Sequence, residues 1–264
     1  MKEIKNFIQL AKLSDALQYV TQSVKSNASD TALRCTFVEL LCIDGQFERA
    51  DQQLNLIIKQ NPNYLIGASN LRQLLRGAVA REEFAKGKAS AVIVRSGDRC
   101  SESLLKSRLS YVEKDAIQYS KYIKELEASR VPSMVDIDGV ESSTLRDIDD
   151  SLGGYLELFG TDGNYYLVPI DAFLSMRLHP VSSLIETVWR KATVDIEGGL
   201  QGEAFIPMTY LNSTTDEQKL ARETDWLEHL SNDVYVGQGQ KMMLFGDQAL
   251  PLSQVTQLRK LLPN

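Results

Sequence analysis

The side chains that could titrate, ligate or attack are few. The chain has two histidines and three cysteines in 264 residues. His179 is wedged before Pro180, and His229 falls in "TTDEQKLARETDWLEHL", whose spacing predicts a helix. Neither belongs to an H-E-x-x-H zinc helix. Cys35, Cys42 and Cys100 form no C-x-x-C pair, so together with the histidines they cannot fill a four-ligand zinc site without carboxylates. Cys35 and Cys42 are seven residues apart on a predicted helix, which separates their Cα atoms by about 10 Å. A disulfide spans at most roughly 7 Å, so both read as small buried hydrophobes. A serine, histidine and aspartate brought together from distant positions stay open at this level, but the chain has no G-x-S-x-G elbow.

The acidic stretches lack the spacing of metal loops. In "DIDGVESS" Gly139 follows Asp136 by three residues, and in "DIDDSLGG" Gly153 follows Asp147 by six. A calcium loop of the EF-hand type needs its glycine five residues after the first ligand and a glutamate at position twelve, so both fail. "GQGQKMM" lacks the third glycine of a dinucleotide-binding turn, and no P-loop is present. These residues predict a non-catalytic protein with no metal and no cofactor. What remains is binding.

Composition agrees with a folded, soluble chain. Apolar residues make up 43% and charged residues 24%. No apolar run approaches the roughly 20 residues that cross a bilayer. The opening "MKEIKNFIQLAKLSDALQ" mixes acidic and polar residues into its apolar pattern, so it reads as helix rather than signal peptide. A cytoplasmic protein without a membrane partner is expected. Net charge is −6, unevenly spread: residues 1–130 carry 20 Lys+Arg against 15 Asp+Glu, and residues 131–264 carry 9 against 20. The asymmetry predicts two domains, 1–130 and 131–264. The basic residues of the first half are dispersed, which argues against a nucleic-acid partner.

The elements that must present a binding surface follow from a repeat. Shifted by 34 residues, Ala11, Leu13 and Ala16 fall on Gly45, Phe47 and Ala50; Val20 falls on Leu54, Val24 on Ile58, and Asn27-Ala28 on Asn61-Pro62. That period and pattern are tetratricopeptide-like. Gly45 permits the tight turn after "TALRCTFVELLCID". Small Ala50 lets two helices approach, and Pro62 stops the second. A capping helix is predicted from Tyr64 to about Lys86, and further helix over 101–129, with "GKASAVIVRSGD" between them as an extended connector. The first domain is thus predicted to be all-α. After "SRVPSM" short β-favouring runs take over. "LFGTDGNYYL" and "DIEGGLQGEAFI" are hairpin signals. "TTDEQKLARETDWLEHL" is predicted helical, capped by Asp216 or a neighbouring threonine. The second domain reads as α+β with a mostly antiparallel sheet.

Two surfaces are candidates for a partner. In tetratricopeptide geometry the first helix of a repeat lines a groove, which places Ala32, Cys35, Glu39 and Cys42 there, flanked by Arg72, Gln73 and Arg76 of the next helix. Such a groove accepts the apolar face of an amphipathic helix, with the arginines reading its acidic residues. The alternative surface is "ARETDWLEHL", where Arg222, Asp225 and Trp226 could join a salt bridge to an aromatic anchor.

The order of "LRCTFVELLCIDGQFERADQQL", "GGYLELFGTDGNYYLVPI", "IPMTYLNSTTDEQKLARETDW" and "GQGQKMMLFGD" resembles the ImpE/TagJ family of type VI secretion accessory proteins, over about residues 30 to 247. The resemblance implies binding without catalysis. Its expected partner is the small subunit of the contractile sheath, TssB, engaged through its N-terminal helical segment, with the ATPase ClpV as an indirect partner that disassembles the sheath.

Overall fold

The computed structural model describes residues 2–261. Helices α1 (Lys2–Gln9), α2 (Leu13–Ser26), α3 (Thr31–Ile43), α4 (Phe47–Gln60) and α5 (Leu65–Ala85) each pack against the next. The 34-residue period is visible in their bounds, since α2 and α4 start and stop 34 residues apart. It is visible in the turns as well: Gly45 has φ +81°, and Ala11, its counterpart, holds φ +55°. Left-handed backbone costs glycine nothing but a residue with a Cβ roughly 1–2 kcal/mol. Asp30 opens α3 by accepting the Leu33 N–H, and Asn61 with Pro62 ends α4. α2 has no local side-chain cap. Asp216, 202 residues further on, accepts the Ser14 N–H and the Ser14 hydroxyl, each at 2.8 Å.

A strand follows the five helices, β1 (Ala91–Ile93), and then the paired helices α6 (Arg99–Val112) and α7 (Ala116–Ala128), opened by Asp98 and Asp115. The remainder is β2 (Val135–Ile137), β3 (Val140–Ser142), β4 (Leu145–Asp147), β5 (Tyr155–Gly160), β6 (Tyr165–Pro169), β7 (Phe173–Leu178), β8 (Trp189–Ile196), β9 (Gln201–Pro207), the single turn α8 (Asp216–Lys219), β10 (Thr224–His229), β11 (Ser231–Gly239), β12 (Met242–Phe245), β13 (Gln248–Pro251) and β14 (Gln257–Lys260). A nine-stranded sheet runs β1-β6-β5-β9-β8-β7-β14-β2-β3, and every pairing in it is antiparallel except β1 with β6. Both hairpins read from the sequence are present: Phe159 pairs with Tyr165 around Gly-Thr-Asp-Gly-Asn, and Asp195 pairs with Gln201. Two smaller sheets, β10-β11 and β13-β12-β4, complete the structure.

The core explains why β5 carries so few polar residues. Tyr155 and Phe159 pack with the helices, whereas Leu156 and Leu158 belong to a second cluster with Val168, Phe173 and Met176. Alternate strand residues thus serve two cores. Helix α5 lies close on β5 because Gly77 has no side chain: a Cβ there would sit 3.1 Å from Phe159 Cδ1.

Two sequence expectations need correction. "GKASAVIVRSGD" is extended as expected, but its Ala91–Ile93 forms an edge strand of the main sheet rather than a free connector. "TTDEQKLARETDWLEHL" is helical only over Asp216–Lys219, where Thr215 and Gln218 form a capping box. Ala221 then turns at φ +56°, and Thr224–His229 pairs with β11. Leu220, Leu227 and Leu230 recur at helical spacing, and cross-strand pairing decides the outcome against it.

Candidate interaction surfaces

The four α3 positions expected in one groove meet different surroundings. Ala32 is exposed, Cys35 and Glu39 are half-buried, and Cys42 is buried. The chain itself covers much of this face, because the Ile185–Thr187 turn packs on α3. Glu39 accepts the backbone N–H groups of Ile185 and Leu184, yet its pKa rises to about 7: burial raises it most, the Glu186 charge adds to that, and the two N–H groups only partly offset it. Phe47 meets Trp189 with ring centroids 6.0 Å apart. What stays open beside Glu39 is a largely apolar hollow of about 420 Å³, lined by Ile8 of α1 together with Val181 and Leu184.

Arg72 and Arg76 lie elsewhere. They line a trough of about 620 Å³ between α4 and α5, with Phe47, Leu75 and Val79 as its apolar part, and it shares no lining residue with the Glu39 hollow. Arg72 is held by Asp51 at 2.5 Å and by Asn55 at 2.6 Å. Arg76 bonds to the Gln73 amide oxygen and pairs with no carboxylate among the described residues. Val79 is 41% exposed. The structure therefore divides the seven predicted residues between two faces: Cys35, Glu39 and Cys42 neighbour one another on α3, and Arg72, Gln73 and Arg76 lie together on α5.

The other candidate, around Trp226, is an exposed two-stranded ribbon. Trp226 is 37% exposed, with its ring 5.9 Å from that of Tyr210. Asp225 accepts the Trp226 N–H instead of pairing with Arg222, so the expected salt bridge does not form. Of the histidines, His179 bonds to the Thr193 hydroxyl and His229 to that of Tyr119. All three cysteines are free thiols. No cluster of three or more potential metal ligands occurs among the described residues.

Sequence reasoning missed a buried ionic network. Arg81 of α5 binds both oxygens of Glu157 on β5, at 2.7 and 2.6 Å, and reaches the Thr209 carbonyl. Lys241 bridges Glu157 at 2.8 Å and Asp147 at 3.1 Å. Tyr165 donates to Glu157, and Tyr210 to Asp147. Burial pushes the Glu157 carboxyl up, but Arg81 and Lys241 outweigh it and hold the group well below the ordinary carboxylate range. Desolvating these ions is costly, and only mutual pairing offsets it. The network fastens a helix of the first half to the sheet of the second, as do Ser14 with Asp216 and Lys219 with Asp44 at 2.8 Å. Its sequence signal was a lone charge inside an apolar strand, the Glu157 of "GGYLELFG".

Comparison with known proteins places this architecture. The crystal structure of protein VPA1032 from Vibrio parahaemolyticus superposes with a TM-score of 0.95 at 42% identity, covering 99% of this chain and 98% of that one. The type VI secretion system accessory component TagJ of Pseudomonas aeruginosa is 25% identical over 225 residues, 84% of this chain and 79% of TagJ. The ImpE protein family model matches residues 139–259. That stretch holds most of the sheet, two of the acids of the buried network and its lysine. Over residues 139–259 the chain matches the ImpE protein family, and over most of its length it is similar to TagJ.

Proposed function

We propose that this protein is a non-catalytic, cytoplasmic accessory of type VI secretion that binds the N-terminal helix of the small sheath subunit, TssB. In this reading residues 1–130 form a tetratricopeptide-like recognition domain, and residues 131–264 hold it in place. The observation that carries it is the α4–α5 trough. It combines an exposed Val79, an apolar wall from Phe47 and Leu75, and a cation, Arg76, that lacks a carboxylate partner among the described residues. An amphipathic helix laid there would bury its apolar stripe and give Arg76 an acidic residue. Holding the sheath subunit by that helix would influence sheath assembly, or its recycling by ClpV. No described helix is long and apolar enough to cross a membrane.

Calorimetric titration with a peptide from the N-terminus of the organism's own small sheath subunit tests this. Micromolar binding weakened at least tenfold by Arg76→Glu or Val79→Asp is the expected result. Both positions face solvent, so neither change should disturb folding. Binding untouched by both but lost in Trp226→Ala would move the site to the β10-β11 ribbon. No binding at all would refute the proposed partner.

A further inference from the structure

We propose that the cleft between α5, α6 and the Asp149–Leu152 turn is a binding site for a small organic anion, whose carboxylate or phosphate oxygens are held by Arg108 and His229. The cleft encloses about 440 Å³, within the range of small-molecule sites. It shares no lining residue with the α4–α5 trough, so the two proposals stand or fall separately.

The argument rests on donors left over. The acids of the cleft are already engaged. Asp149 accepts the Ser151 N–H, the Ser151 hydroxyl and the Gly237 N–H, Glu157 is taken by Arg81, Lys241 and Tyr165, and Glu82 pairs with Lys86 at 3.5 Å. Arg108 pairs with no carboxylate among the described residues. Its Nη2 makes only two 3.3 Å contacts, with the Ser151 carbonyl and hydroxyl oxygens, and its buried Nε has no acceptor. A guanidinium N–H withdrawn from water without an acceptor is costly, so the site gains from a ligand that supplies one.

His229 offers a second donor. Burial, aided by the Arg108 charge, pushes its pKa down to about 4, so the ring is neutral at physiological pH. The Tyr119 hydroxyl is buried and, among the described residues, bonds only to His229 Nδ1, at 2.7 Å. Its proton is satisfied when it donates to Nδ1, which leaves the ring proton on Nε2. Nε2 has no hydrogen-bond partner among the described residues. Tyr111 stacks on His229 with centroids 4.1 Å apart, and Phe84 lies 5.7 Å from the Arg108 guanidinium. These rings provide apolar walls for the body of an organic ligand.

The two-histidine composition makes the test direct. Proton NMR of the full-length protein resolves the ring signals of His179 and His229, assigned with His179→Gln, during titration with inorganic phosphate and, separately, with citrate. The expected result is a saturable shift of His229 alone. It should weaken at least tenfold in Arg108→Gln and in Asn212→Asp, which sets a negative charge at the rim without removing a buried cation. Arg76→Gln should change nothing. A response to phosphate alone assigns a phosphate ester as the ligand, and a response to citrate alone assigns a carboxylate. No saturable shift with either probe, or a shift unchanged in both cleft variants, overturns the proposal. Displacement of the probe by an acidic peptide but by no small anion would overturn the small-ligand class and make the cleft a contact for a protein.

Discussion

Replacing Arg81 with methionine tests whether the buried network fastens the two halves together. The substitution keeps most of the side-chain volume and removes the cation. Glu157 keeps the Tyr165 hydroxyl but only one cation, Lys241, which it must share with Asp147, and the Thr209 carbonyl loses its donor. Breaking a buried pair from one side costs about 3–5 kcal/mol. A chain of this length unfolds with an entropy of roughly 0.55 kcal/mol/K, so the melting temperature should fall by roughly 5–9 °C. Urea unfolding and calorimetry at pH 7.5 measure both quantities. A double-mutant cycle with Glu157→Gln should show coupling of more than about 1 kcal/mol, because each single change strands the other's charge. Acidification gives an independent check. The folded-state pKa of Glu157 is depressed, so its stabilisation is present above the unfolded value near 4.5 and is lost as pH falls below it. The gap between wild type and Arg81→Met should therefore narrow below about pH 4.5. A loss under about 1 kcal/mol at neutral pH, or strictly additive single changes, would refute the reasoning.

Three further outcomes follow from single contacts. Glu39→Gln should be more stable than wild type by about 3 kcal/mol at pH 8 and equal near pH 4 in paired urea melts. Wild-type Glu39 has a raised folded pKa of about 7, so its ionisation costs stability as pH climbs from about 4.5. Asp216→Ala removes the distant cap of α2 and should cost about 1 kcal/mol, with faster hydrogen exchange at the Ser14 amide. Trp226→Ala, on the exposed ribbon, should change stability by less than about 1 kcal/mol by thermal melting, which keeps it usable as a binding control.

The sequence by itself determined the local features. Glycine, proline and small residues at a 34-residue interval fixed the helix bounds of the first half, because turns and helix ends depend on the backbone freedom of a few neighbouring residues. The Gly-Thr-Asp-Gly-Asn turn and the alternation around it fixed the β5–β6 hairpin for the same reason. The free thiols were equally legible, since seven helical residues hold Cys35 and Cys42 too far apart to join. Tertiary structure decided whatever needed partners distant in the chain. Arg81 and Glu157 are 76 residues apart, Lys241 and Asp147 are 94 apart, and no local pattern links them. The 224–229 stretch became a strand because β11 offered it a ladder, although its spacing also suited a helix. The α3 face is partly covered for a similar reason: the chain returns about 140 residues later and lays the 185–187 turn on it, leaving the hollow beside Glu39. Local sequence sets backbone preferences of a fraction of a kcal/mol per residue, whereas burial and ion pairing across the fold contribute several kcal/mol at a single site, and at these positions the larger contribution prevailed.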